Sequence, residues 1–230
     1  DFTNYFETVP ANHLERVLWG EAERMGSLVI DDANFKSERD VVKEEFRQSI
    51  LSNPYGKLLG LYMAQSGFSV HPYGRPGIGS IEQLDAATVE DVRAFHAAYY
   101  RPDNAILVVS GNFNEAQLEG YAEKYFAPIK TPERAIPRVT AVEPPRTEAK
   151  SYTVYEPNVS LPAVAVSWPQ PDANSPDIAA IMMMDAILTS GQSSRLYQSL
   201  IYEQQVAADT GSTFQVTAQP GLYGLYMILA

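Results

Sequence analysis

The chain contains no cysteine and only three histidines among its 230 residues. The absence of cysteine excludes disulfide bonds and thiolate zinc sites, so any metal ion must be held by His, Asp or Glu. His13, His71 and His96 do not form H-E-x-x-H, or its inverse H-x-x-E-H, with a glutamate at the required spacing. His71 belongs to a loop rich in Gly and Pro, which its ring is expected to order, and His96 is expected at a helix boundary.

Basic residues and long apolar runs are also scarce. Acidic residues outnumber basic residues by 28 to 17, which gives a net charge of −11 and a pI near 4.7. This charge repels nucleic acids and anionic membrane surfaces, so no nucleic-acid partner is expected. The longest apolar stretches, Ile178–Met184 and Leu222–Ala230, are far shorter than the roughly 18 residues of a membrane span. We expect a soluble protein without a membrane span, in the bacterial periplasm or the cytoplasm.

The order of sequence patterns predicts an α+β fold, with an antiparallel or mixed sheet and helices packed on one face. Residues 131–150 contain four prolines and no apolar period, which is typical of a linker, so domains are expected at 1–130 and 151–230. Strands are predicted at 2–9, 105–110, 151–155, 163–168, 206–217 and 222–230. Because both ends of the chain read as strands without a turn beyond them, we expect a piece of a longer polypeptide.

The most informative residues are Glu38 and Glu45, which lie seven positions apart in a helical stretch. On an α-helix this spacing leaves the two side chains about 20° apart around the axis and about 10 Å apart along it. They fall beside the apolar face, at the expected edge of the core, where a carboxylate pair can hold a metal ion. The alternative is a solvated helix face stabilised by Arg39, Lys43 and Arg47. Glycoside hydrolysis is disfavoured, because its two carboxylates face each other across a cleft.

Several segments together resemble the insulinase and pitrilysin family of zinc peptidases over nearly the whole chain. Their order and spacing make the resemblance specific, although each match alone is weak. The segments are Thr3–Phe6, Glu38–Glu45, His71–Tyr73, Tyr99–Asn104 leading into Val108–Gly111, and Ser194–Leu196 with Leu200.

The resemblance implies roles for the two glutamates. In this family two histidines of H-x-x-E-H bind zinc, the motif glutamate is the general base, and a downstream glutamate is the third ligand. Glu45 matches that third ligand, with Glu44 as the competitor. Glu38 matches an acid that supports the site from the outer shell. The motif itself would precede Asp1, so two ligands and the general base are expected outside this chain.

The resemblance also implies a duplicated α+β unit, of which this chain would hold one incomplete copy and the start of a second. We therefore expect a fragment of a zinc metallopeptidase acting on oligopeptides or small unfolded proteins, inactive in this form. A non-catalytic homologue that serves as a structural or peptide-binding subunit is the alternative. A peptide substrate and a homo- or heterodimer with a second family subunit are the partners to expect.

Overall fold

The computed structural model describes all residues from 1 to 230, and they form two compact units. Unit 1 comprises Asp1, Asp40–Leu84 and Val139–Ala230, and unit 2 comprises Phe2–Arg39 and Asp85–Arg138. Each unit is therefore assembled from separated parts of the chain. The domains expected from composition, 1–130 and 151–230, are each continuous in the chain. Those boundaries stay a prediction.

Seven α-helices account for most of the regular structure. They are α1 (Leu14–Gly26), α2 (Asp32–Phe46), α3 (Met63–Gly67), α4 (Ile81–Ala86), α5 (Val89–Tyr99), α6 (Glu115–Phe126) and α7 (Ile178–Thr189). Wider π-helical turns follow or precede some of them, at Arg47–Leu51, Leu58–Tyr62 and Tyr197–Glu203. Helix α5 begins with a capping box: Thr88 Oγ1 accepts from the Asp91 N–H, and the Asp91 carboxylate accepts from the Thr88 N–H. None of the helices is long and apolar enough to cross a membrane.

The sheet has three antiparallel strands in the order β1-β3-β2, and it lies in unit 1. The strands are β1 (Ala163–Gln170), β2 (Ala207–Ser212) and β3 (Gly221–Leu229). β3 pairs along both of its edges, so that Leu225 lies opposite Val166 on one side and opposite Ser212 on the other. Helices together with a small antiparallel sheet confirm the α+β class.

Helical residues contact both faces of this sheet. On one face the Tyr223 hydroxyl donates to Asp185 Oδ1 of α7 at 3.2 Å. On the other face Met63 of α3 packs against Gly224, where a Cβ atom would come within 2.3 Å of the Met63 Cε. Glycine at position 224 therefore lets α3 lie directly on β3.

The strands predicted at 2–9, 105–110 and 151–155 are wrong, because none of these segments pairs with another strand. Their large apolar side chains are in solvent: Phe2 is 86% exposed, Ile106 91% and Val108 80%. A strand forms only where a second segment supplies hydrogen-bond partners, and periodicity carries no information about that partner.

The core of unit 2 is built by the apolar stripe of α1. Leu18 is 2% exposed and Ala22 is 6% exposed, and α1 packs against α6. Gly26 ends the helix where Ile129 approaches from the far end of α6. This stripe appears in the sequence as a helical period, and burial against α6 is what stabilises it.

We expect Leu18→Ala to lower the free energy of unfolding of unit 2 by about 2–5 kcal/mol, because it deletes a fully buried side chain and leaves a cavity. Denaturant unfolding followed by Trp19 fluorescence, in a Trp168→Phe background, measures the change. Leu28→Ala is the matched control, since Leu28 is 48% exposed, and it should change stability by less than about 0.5 kcal/mol. Equal losses in both variants would contradict this description of the core.

A partly buried ion pair links the helical turn at Leu58–Tyr62 to the chain before β1. The Glu156 carboxylate accepts from Lys57 Nζ at 2.7 Å and from the Tyr62 hydroxyl at 2.6 Å. The Lys57 ammonium, and then the Tyr62 hydroxyl, lower the pKa of Glu156 below its usual value of 4.5. A lowered pKa means that the folded chain favours the ionised carboxylate more than the unfolded chain does.

The stabilisation from Glu156 should therefore be complete above pH 4.5 and be lost as the pH falls through the lowered pKa. Urea unfolding at neutral pH and at about pH 3 should show a steeper loss for the wild type than for Glu156→Gln, which cannot titrate. Glu148→Gln, an exposed change nearby, should behave like the wild type. An identical pH dependence in the wild type and Glu156→Gln would argue against this ion pair.

Candidate functional site

Helix α2 carries both glutamates that the sequence singles out. Glu38 and Glu45 are exposed, while Phe46 beside Glu45 is 6% exposed and Val42 is half-buried. The sequence placed the two carboxylates at the edge of the core, and the structure instead places them in solvent. Helical geometry fixes the direction of a side chain, but which element covers that direction depends on packing.

The carboxylates on α2 differ in their partners. Glu44 accepts from Arg47 Nη1 at 3.3 Å and from Gln48 Nε2 at 3.1 Å. No hydrogen bond or ion pair holds the carboxylate of Glu45 or Glu38, and Glu45 contributes only its backbone oxygen, to Ser49 Oγ. Glu44 is thus engaged on the helix surface, whereas Glu45 is available to a cation.

The histidines are engaged elsewhere. His71 is 6% exposed, and its Nδ1 accepts the Tyr73 N–H at 3.2 Å, which places the ring proton on Nε2. The ring also stacks edgewise on Tyr73. His96 Nε2 bonds to the Arg24 carbonyl at 2.8 Å, and its ring stacks on Tyr100. Both histidines therefore hold local structure, as the sequence led us to expect.

The residues of this chain do not assemble a complete metal centre. No group of three His, Asp or Glu side chains is placed to hold a metal ion. A catalytic zinc needs three protein ligands and one open position, and the chain does not bring such a set together.

The surface also carries two clefts, one in each unit. The larger, of about 670 Å³, lies in unit 2 between the ends of α1, α5 and α6, and includes Trp19, His96 and Lys124. Two of its polar side chains are already engaged, because Lys124 binds Glu15 at 2.9 Å and His96 binds the Arg24 carbonyl. The smaller, of about 310 Å³, lies in unit 1 between α7 and the sheet and is lined mainly by apolar side chains. Neither presents a converging set of free polar groups.

Sequence reasoning missed two charged residues, Glu143 and Arg146, which lie in the segment expected as a linker. Each makes defined contacts to the chain around the end of α3. The sequence feature that could have revealed them is the run Glu143-Pro144-Pro145-Arg146, in which two prolines fix the spacing between an acid and a base.

Comparison with known proteins gives one matching family model, described as Peptidase M16 inactive domain, over residues 86–230. Among curated proteins, the zinc protease PqqE of Helicobacter pylori is 32% identical over 213 residues, which is 92% of this chain and 48% of that protein. A probable mitochondrial-processing peptidase subunit beta of Schizosaccharomyces pombe is 25% identical over 83% of this chain and 43% of its own length. The chain thus spans about half the length of these relatives.

Solved structures share the fold. A protease from Helicobacter pylori superposes with a TM-score of 0.89 and 28% identity, over 95% of this chain and 53% of that one. A peptidase M16 inactive domain from Pseudomonas fluorescens gives 0.74 at 20% identity, over 94% and 51% of the two chains. Pitrilysin gives 0.63 at 16% identity, over 96% of this chain and 24% of its own. The last two similarities concern the fold alone.

We expect the 230-residue chain to bind zinc no more tightly than its Glu45→Gln variant, because one exposed carboxylate is a weak ligand by itself. Isothermal titration of both proteins with zinc chloride measures this. A submicromolar dissociation constant for the wild type, lost in the variant, would show that the chain completes a metal site by itself.

Proposed function

Because the chain belongs to the M16 peptidase family, we propose that it is part of a zinc-dependent endopeptidase that hydrolyses peptide bonds in oligopeptides or small unfolded proteins. Family membership rests on the matched model and on the relative from Helicobacter pylori. The observation that supports a metal role for this chain is the contrast on α2 between an unengaged Glu45 and an engaged Glu44. The relatives named as zinc proteases support zinc as the metal of the whole protein.

Glu45 is proposed as one protein ligand of that zinc. Its carboxylate lies in the last turn of α2, next to the buried Phe46 that anchors this end of the helix. A ligand on a rigid helix with no competing ion pair can bind a cation without first breaking a contact. When bound, zinc supplies a Lewis acid that polarises the scissile carbonyl and lowers the pKa of bound water.

Glu38 is proposed as a support in the outer shell. It lies on the same side of the helix as Glu45, nearly two turns earlier. From the outer shell it would orient a histidine or a water that binds the ion. The general base and the two remaining ligands are proposed to lie in sequence upstream of Asp1.

Exposed strand-like segments support the proposal of a larger protein. Residues 2–9 and 105–110 present unpaired backbone and large apolar side chains, with Phe6 at 82% and Val108 at 80% exposure. Such segments are stable when a further strand pairs with them. We propose that residues upstream of Asp1 pair with these segments, and that residues 151–230 begin a second copy of the same α+β unit.

A non-catalytic subunit is the second candidate function. The matched family model is the inactive domain, and relatives include subunits named for mitochondrial processing peptidase. A chain of complex III from Candida albicans also shares the fold, with a TM-score of 0.70. In this version the partner would be a second family subunit, and Glu45 would have no metal to bind.

In the full-length protein, Glu45→Gln should remove most bound zinc and most peptidase activity, because it deletes a charged ligand. Glu38→Gln should lower activity or metal affinity by about 10- to 100-fold, as loss of an outer-shell partner does. Metal content by mass spectrometry and cleavage of a quenched fluorescent peptide measure the two effects. Glu44→Gln is the control and should leave zinc content unchanged.

The same set of variants separates the two candidates. If Glu44→Gln removes zinc and Glu45→Gln does not, the ligand assignment is wrong but the peptidase remains. If the purified full-length wild type contains no zinc and cleaves no peptide, the non-catalytic subunit replaces the peptidase.

A further inference from the structure

The segment at 139–150 places one carboxylate against a row of backbone donors in unit 1. Glu143 Oε1 accepts the Ser69 N–H at 2.6 Å and also accepts from the Ser69 hydroxyl. Glu143 Oε2 accepts the N–H of Val70 at 3.0 Å and that of His71 at 2.9 Å. Four donors thus converge on one side chain. Consecutive N–H groups that point to one spot are a recurrent anion-binding arrangement in proteins.

Arg146 binds two backbone carbonyl groups, one of them just before Ser69–His71 in the chain. Its Nη2 donates to the carbonyl of Gly67, the last residue of α3, at 2.8 Å, and its Nη1 donates to the Ser167 carbonyl of β1 at 3.3 Å. A cation at a helix C-terminus satisfies a carbonyl that lacks an intrahelical partner. Arg146 therefore donates to the carbonyl that ends α3, while Glu143 accepts from the N–H groups just beyond it.

The sequence between the two residues explains how they reach one target. Pro144 and Pro145 fix their φ angles and disfavour a helical conformation in the residues before them. In the extended polyproline conformation three residues make one turn, so positions 143 and 146 lie on the same side. The run Glu143-Pro144-Pro145-Arg146 therefore presents the acid and the base together, with little conformational entropy to lose on binding.

We propose that the N–H groups of Ser69, Val70 and His71 form a carboxylate-binding cradle whose built-in ligand is the Glu143 side chain. In this arrangement Glu143 is a positioning residue for the loop His71–Gly77. The cradle fixes the backbone of His71, whose ring in turn accepts the Tyr73 N–H. This inference is independent of the zinc proposal, because it concerns contacts within unit 1 that involve no metal ligand.

The electrostatics agree with the geometry. Partial burial would by itself raise the pKa of Glu143. The hydrogen bonds from the Ser69 hydroxyl and from the N–H groups of Val70, His71 and Ser69 outweigh burial and lower the pKa to about 2. The carboxylate is therefore ionised at neutral pH and accepts all four bonds as an anion, which makes each of them stronger than a neutral hydrogen bond.

The first test is hydrogen exchange in the full-length protein. Glu143→Ala should speed amide exchange at Ser69, Val70 and His71 by about ten- to a hundredfold, since these amides lose charged hydrogen-bond partners. Amides in β3 should exchange at the wild-type rate. Glu148→Ala, an exposed acid in the same segment, is the matched control and should change neither region. Unchanged exchange at the three amides in Glu143→Ala would overturn the proposal.

The second test asks whether the cradle itself recognises a carboxylate. Sodium formate added to Glu143→Ala should restore slow exchange at the three amides, whereas sodium chloride at equal ionic strength should not. Formate should have no effect on the wild type, because Glu143 fills the cradle. Equal effects of formate and chloride would show that the donors do not form a carboxylate site and would overturn the proposal.

A milder variant covers the case in which Glu143→Ala does not fold. Glu143→Gln keeps the length of the side chain and one neutral acceptor oxygen, but turns an amino group toward part of the cradle. Exchange should then rise at Val70 and His71 or at Ser69, according to which side receives the amino group. If all three amides of Glu143→Gln exchange at the wild-type rate, the proposal is overturned, as it would be by unchanged exchange in Glu143→Ala.

Discussion

Backbone hydrogen bonding is the constraint on which most of this structure depends. Every N–H and C=O that leaves water needs a partner, and an extended chain cannot supply its own. In unit 1, β3 meets this need by pairing with β1 along one edge and with β2 along the other. The carboxylate of Glu143 meets the same need at a loop, where no strand is available to the N–H groups of Ser69, Val70 and His71.

The same constraint accounts for the absence of a sheet in unit 2. Residues 2–9 and 105–110 have the apolar composition of strands, yet neither segment pairs with another strand. Their side chains Phe2 and Ile106 stay exposed. The helices of unit 2 form because an α-helix satisfies its backbone internally, and α1 needs only α6 to bury its apolar stripe.

At the candidate site, some features follow from the local sequence of α2, and others depend on residues that only the fold brings near. Glu38 and Glu45 lie in one helix because α2 forms from local preferences, and their shared direction follows from the helical repeat. Their exposure depends on packing that no spacing encodes, whereas the contacts of Glu44 with Arg47 and Gln48 follow from the i,i+3 and i,i+4 spacing of one helix face. The family resemblance that assigned the ligand role rested on the order of short motifs, and the matched family model supports that resemblance.

The sequence by itself determined the helices, the capping box at Thr88, the α+β class and the family, since each follows from contacts within a few residues or from motif order. The tertiary structure alone decided which extended segments become strands, because pairing joins residues far apart in the chain, as Val166 and Leu225 are. It also decided the role of residues 139–150. Their prolines read as a linker, but Glu143 and Arg146 bind backbone groups more than seventy residues earlier in the chain, and only folding brings those groups within reach.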